Sequence, residues 1–343
     1  MELCIDFGGT EIKLAAIADQ RVLASDVRPV SGDASDLDTA ASAARTLLET
    51  VGRRADAVGI AVPGVVDPAT GRMLHANAKY DHLRDFDLDA WSRREFGVGA
   101  AVENDARAAL IGETSAGSAA DERDAVLVTL GTGIGTAAMI DGVALRGRTG
   151  HAGILGGHVT VELDGPACPC GNIGCGEALA SAWALRAVTG LTMSDLFAAS
   201  APDSASDAGT TTTGHTRTAA AHLHDESEEN VVHPYPDRAS VTAPDVPHGT
   251  DLSALRDHVL RVWGATVVTL VHMYDPAVVI LSGGVLRAGA AVADPIETYV
   301  RAHLWPSMTP PRFIVPPEPE LSVARGLSAL ALARDARPQQ EEQ

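Results

Sequence analysis

The sequence predicts an α/β protein. Apolar strand-like runs alternate with helical periodicities along almost the whole chain, and three of those runs end in glycine turns. With 343 residues, 45% of them apolar, the chain is long enough for one large or two medium globular domains with their own cores.

The elements follow in order. ELCIDFGG reads as a strand entering a glycine turn, and KLAAIAD and RVLASDVRP continue it as a meander. DLDTAASAARTLLETVGR has helical apolar spacing with an Asp near its start, and DAVGIAVPG is a buried strand. AAVENDARAALIGETSAG is a short strand turning into a helix. DAVLVTLGTGIGTAAMIDGVALRG is a hairpin of apolar strands around a glycine-rich turn. ALRDHVLRVWGATVVTLVHMYD predicts a long helix, PAVVILSGGV a strand with another glycine turn, and SVARGLSALALARDA a closing helix. Residues 201–251 break the pattern. They are rich in Ser, Thr, Asp, Pro and His, bury too little apolar surface to order themselves, and are expected to form a disordered insertion whose histidines have no metal-binding spacing.

Composition excludes several function classes. No window approaches the roughly 18 to 20 apolar residues of a membrane span, and MELCIDFGGT lacks the pattern of a signal peptide, so a cytoplasmic protein without a membrane partner is expected. In that compartment cysteines stay reduced, which favours a metal site over disulfides. The formal net charge of −19 argues against a nucleic-acid partner, because phosphate-backbone binding needs clustered Lys and Arg.

Three glycine turns carry the chemistry: DFGGTEIK (Asp6, Gly8, Gly9, Thr10, Lys13), LGTGIG (Gly131, Thr132, Gly133, Gly135) and LSGGV (Gly283, Gly284). Glycines let main-chain N–H groups approach a phosphate, and the two threonine hydroxyls add donors. None is a Walker loop, and each alone reads equally well as a tight turn. In VENDARAALIGE, Asp105 stands at a strand-to-helix junction beside Asn104. A carboxylate there suits a general base for a hydroxyl attacking a phosphate, while the same two residues serve as well as a helix cap. HVTVELDGPACPCGNIGCGE offers His158, Cys168, Cys170 and Cys175, a tetrahedral Cys₃His set for structural zinc with no open position.

Together the glycine turns resemble the phosphate and adenosine segments of the actin-like ATPases, a resemblance that implies two RNase H-like domains around a nucleotide and sugar cleft. DFGGTEIK, GIAVPGVVD, ENDARAALIGE, GTGIGTAAMIDG, CPCGNIGCGE and VVILSGGV also stand in the order of the ROK family (repressor, open reading frame, kinase), whose signature CxCGxxGCxE is present. The resemblance implies an ATP- and Mg²⁺-dependent kinase of a small-molecule sugar, a hexose or N-acyl hexosamine phosphorylated most commonly at the C6 hydroxyl, and a homodimer or homotetramer. It implies Asp105 as the base and Asp6 facing magnesium. It places Gly64, Asn77, Asn104, His158 and Glu177 at the sugar, with structural zinc on the Cys₃His set. The implied domains are 1–107 plus about 320–336, and 108–319 with the zinc loop.

One departure stands out. Sugar kinases of the family usually have a glutamate in GExGH before the zinc histidine, and GHAGILGGH has Leu155 there, or Ile154 with a one-residue slip. Either His151 takes the place of the carboxylate, or the sugar differs near C1 or C2, or the protein is a weakened sugar-binding sensor. A repressor is not expected, because the first phosphate segment begins at Asp6.

Overall fold

The computed structural model describes residues 1–76, 78–198 and 251–336. Asn77 and residues 201–250 of the expected insertion lie outside the described residues. No described helix is long and apolar enough to cross a membrane.

The alternation read from the sequence becomes two sheets with a shared plan. In the first, β1 (Glu2–Phe7), β2 (Glu11–Ala18) and β3 (Arg21–Pro29) form an antiparallel meander. Helix α1 (Ser35–Val51) then crosses over so that β4 (Ala57–Val62) lies parallel to β1. A small hairpin of β5 (Gly64–Val66) and β6 (Met73–Ala76), followed by α2 (Leu88–Phe96), leads to β7 (Ala100–Asn104), parallel to β4. The order is β3-β2-β1-β4-β7.

Helix α3 (Asp105–Ala116) leads into the second sheet, where the plan repeats. Strands β8 (Ala125–Leu130), β9 (Ile134–Ile140) and β10 (Val143–Ala144) are the meander. Short helices α4 (Gly176–Ala180), α5 (Ala182–Thr189) and α6 (Met193–Ala198) and the long α7 (Leu252–Tyr274) precede β11 (Val278–Ser282). After α8 (Ala290–His303) comes β12 (Arg312–Ile314), and the order β10-β9-β8-β11-β12 matches that of the first sheet.

Packing follows from spacing. In α1, Leu37, Ala40, Ala41, Ala44 and Leu47 recur on one face and are buried, and Gly52 ends the helix with φ 69°. The final helix, α9 (Ser322–Asp335), lies on the first sheet through Leu327, which packs with Cys4, Ala15, Ile17 and Ala61. Helix α3 lies on the second sheet, where Ala106, Ala109 and Leu110 meet Ala125, Leu127, Val278 and Ile280. The two helices then touch backbone to backbone. A Cβ on Gly326 would stand 1.8 Å from the Ala108 carbonyl oxygen, and one on Gly112 would stand 1.9 Å from that of Ser322.

Candidate active site

In a sheet whose strands run parallel, carboxyl ends line up on one edge, and that edge is where ligands are met. The registers Asp6↔Ala61 and Val62↔Asn104 put the first glycine turn and the Asn104–Asp105 junction on the same edge of the first sheet. In the second sheet Ser282 pairs with Thr129, so the other two glycine turns are neighbours. Gly283 is in a left-handed conformation, φ 99°, and a Cβ there would be 2.2 Å from the Leu130 carbonyl oxygen, so only glycine fits.

The turns leave open room for a ligand. A Cβ at Gly9 or Gly131 would meet no protein atom within 4 Å, and Thr10 and Thr132 are exposed. Gly133 and Gly135 lead into β9, and Gly284 opens a short 3₁₀ turn. A cleft of ≈ 280 Å³ is lined by Asp6, Glu11 and Lys13 from the first turn together with Arg287, three residues past Gly284, and Leu327 of α9. Residues around the first and third turns thus face one space.

Asp6 lines that space. Its Oδ1 is buried with no hydrogen-bond partner among the described residues. Burial first, and the nearby charge of Asp105 second, push its carboxyl up to about 7, partly opposed by Lys13. An orphaned oxygen on an acid that lines a cleft, at the end of the strand leading into the first glycine turn, is a fit for a hydrated divalent cation bound with phosphates.

Of the two roles the sequence left open, the structure shows the helix cap. Asn104 Oδ1 caps α3 by accepting from Arg107 N at 3.0 Å. Its Nδ2 donates to Gly64 O at 3.1 Å and to Asp105 Oδ1 at 2.9 Å, tying the start of β5 to the junction. Asp105 Oδ1 also accepts from Ala106 N at 2.8 Å. Burial raises the Asp105 carboxyl above its ordinary value, against the lowering effect of these bonds.

The Cys₃His residues converge. Their ligand atoms all lie within 4.8 Å of one another. Cys170 Sγ and Cys175 Sγ are 3.7 Å apart, and Cys168 Sγ is 3.6 Å from His158 Nδ1. Tetrahedral zinc with ordinary bond lengths would separate two sulfurs by about 3.8 Å and a sulfur and nitrogen by about 3.5 Å. The donor set therefore fits zinc in both chemistry and spacing. Burial raises the Cys168 thiol, and raises that of Cys175 to about 11; a bound dication opposes such shifts by favouring thiolate. Asn172 Nδ2 donates to His158 O at 3.1 Å and to Cys175 Sγ at 3.4 Å, bracing the set from outside.

Glu177, at the start of α4, joins this loop to the second glycine turn. It is 7% exposed, and its Oε2 accepts from Ile134 N at 2.9 Å. His151 is exposed, its Nδ1 3.0 Å from Thr149 Oγ1; Leu155 is 45% exposed and Ile154 half-buried.

Several residues were not foreseen. Tyr80 is buried and donates from its hydroxyl to Gly8 O at 2.6 Å, fixing the first glycine turn. Glu103 and Arg107 form a buried ion pair at 2.6 Å. Their four-residue spacing was the one local signal for it.

The family model of the ROK family matches residues 2–335. The chain belongs to the ROK family. It is similar to a glucokinase of Thermotoga maritima, 29% identical over 311 residues, which is 88% of this chain and 88% of that protein. It is 36% identical over 181 residues to an N-acetylmannosamine kinase of Salmonella newport, 52% of this chain and 60% of that one. Among solved structures, a ROK family glucokinase from Streptomyces griseus in complex with glucose and AMPPNP has 26% identity and a TM-score of 0.71, covering 97% of this chain and 99% of that chain.

Proposed function

We propose that this ROK-family chain is an ATP-dependent sugar kinase with two RNase H-like domains, 1–107 plus about 320–336 and 108–319. The observation that carries the reading is the junction of β7 and α3. There Asp105 has Oδ1 tied down by Ala106 N and Asn104 Nδ2, on the same sheet edge as the orphaned Oδ1 of Asp6.

In this reading Asp105 Oδ2 takes the proton of a sugar hydroxyl, the C6 hydroxyl of a hexose or N-acyl hexosamine, as that oxygen bonds to the γ-phosphorus. The bond from the γ-phosphorus to the bridging oxygen breaks and ADP leaves with the electron pair. A carboxyl raised by burial is a stronger base once ionised, and its fixed oxygen keeps it in line. Gly64, Asn104, His158 and Glu177, with Asn77, hold the sugar. The three glycine turns hold the nucleotide, through Gly8, Gly9, Thr10 and Lys13, Gly131 and Thr132, and Gly283 and Gly284, with the exposed hydroxyls of Thr10 and Thr132 as donors. Asp6 would hold hydrated Mg²⁺, which supplies neutralising charge to the phosphates. His158, Cys168, Cys170 and Cys175 would hold Zn²⁺, which supplies folding energy to the loop.

A sensor that binds sugar without efficient turnover is the second reading. It is favoured by Ile154 and Leu155, neither of whose side chains can accept a hydrogen bond. The test is Asp105→Asn with wild type beside it. The kinase reading expects turnover to fall by about 10² to 10⁴ with sugar affinity within a few-fold. A variant with wild-type turnover would overturn the base assignment.

A further inference from the structure

Arg107 stands in the first turn of α3 with 1% of its surface exposed, a depth arginine reaches only when its donors are matched. Its Nη1 donates to Glu103 Oε1 at 2.6 Å. The remaining bonds all go to one segment, the loop after β10. Nε donates to Leu145 O at 2.8 Å, and Nη2 donates to Gly150 O at 2.9 Å and to Ala152 O at 3.1 Å. A planar fork can bind three carbonyls that point different ways, which the single ammonium of lysine cannot copy.

Glu103 holds the other end. Its Oε1 also accepts from Asn104 N at 2.9 Å, and its Oε2 accepts from Arg146 Nε at 3.0 Å and Nη2 at 2.5 Å. Arg146 belongs to the same loop. The loop is seated as well against the Gly64 hairpin, since a Cβ on Gly150, φ +83°, would be 2.1 Å from Val66 O. One buried cluster thus ties residues 145–152 of the second half to the strand end that presents Asn104 and Asp105.

We propose that Arg107 is a positioning residue that clamps the 145–152 loop over the Asn104–Asp105 junction and so sets affinity for the sugar. The proposal deepens the kinase reading and rests on it for the identity of the ligand. With the clamp loosened, Asn104 and Asp105 keep their own bonds, but the loop tied to their strand end and seated on the Gly64 hairpin moves. The loss falls on sugar binding and leaves the nucleotide turns alone.

The test compares wild type, Arg107→Lys and Arg107→Met in full-length protein. It measures KM for the best sugar, KM for Mg-ATP, and hydrogen exchange of the 145–152 amides. Both variants should raise sugar KM by about 10- to 100-fold, the range for lost charge-assisted hydrogen bonds, with KM for Mg-ATP within about two-fold. Exchange should quicken at 145–152 and stay unchanged in β1, β4 and β8. If Arg107→Met does not fold, Arg107→Lys decides, because it retains the charge beside Glu103 but not the three carbonyl bonds. Wild-type sugar KM in Arg107→Lys, or an equal rise for sugar and Mg-ATP, overturns the clamp. If wild type turns over no sugar, the kinase reading fails, and the clamp stands or falls on whether exchange in Arg107→Lys quickens at 145–152 alone.

Discussion

Asp6→Asn should make the protein more stable in the absence of ligands, because the structure buries an acid whose Oδ1 has no hydrogen-bond partner among the described residues. Its carboxyl rises from 3.8 to about 7, chiefly through burial and then through the charge of Asp105. The folded protein therefore holds this proton more tightly than the unfolded chain. The stabilising contribution is complete below about pH 4 and is lost as pH rises through about 7. At about 1.36 kcal/mol per unit, a rise of about three units sets an upper limit of about 4 kcal/mol. Water and dipoles in the cleft reduce this to about 2 kcal/mol at the lower end.

Asparagine keeps the shape and removes the charge. At pH near 8, without divalent ions or nucleotide, the variant should melt higher by about 3 to 6 °C, taking about 2.1 cal/mol/K of unfolding entropy per residue. Near pH 4.5 the difference should shrink to about a quarter of that, since the wild-type acid is then mostly protonated when folded. Turnover should fall in the same variant, so the acid is kept for function at a cost in stability. Calorimetric melts at the two pH values check this. A variant that is less stable near pH 8, or an equal difference at both pH values, would refute the reasoning.

Other perturbations separate the remaining parts. Cys170→Ser should lose zinc in a metal assay and become sensitive to proteolysis between residues 158 and 177, with most activity gone, since a structural site folds its own loop; a stable, metal-free, active variant would contradict the zinc assignment. Gly326→Ala places a methyl 1.8 Å from the Ala108 carbonyl oxygen and 2.9 Å from Gly112 N, so α3 and α9 must part. Overpacking of about 1 to 3 kcal/mol should outweigh the helix propensity gained, and the melting temperature should fall by a few degrees.

The strands and helices with strong periodicity were legible in the sequence: the meander at the start, the hairpin around GTGIG, α7, and the strand that ends at Gly283. So was the Cys₃His set, because zinc dictates ligand type and spacing within one short loop. What the sequence could not show depends on contacts between distant segments. The hairpin of Gly64–Val66 with Met73–Ala76 is too short to carry a period. Tyr80 binding Gly8 O, and Arg107 binding the carbonyls of Leu145, Gly150 and Ala152, use main-chain acceptors that every residue has, so no residue pattern marks them. Asn104 and Asp105 were ambiguous between cap and catalytic group for a different reason. A side chain that accepts an N–H at a helix start is already held rigid at a strand end, and rigidity is what a general base also requires.

In the proposed kinase the two sheet edges hold a sugar and a nucleotide for phosphoryl transfer with Asp105 as base. Its most direct test is ADP release by zinc-replete protein with Mg-ATP across glucose, mannose, fructose, allose, N-acetylglucosamine and N-acetylmannosamine. The account predicts turnover on at least one of these sugars and its loss in Asp105→Asn. No ADP release on any of them, with sugar binding still measured by calorimetry, would contradict the kinase and leave the sensor.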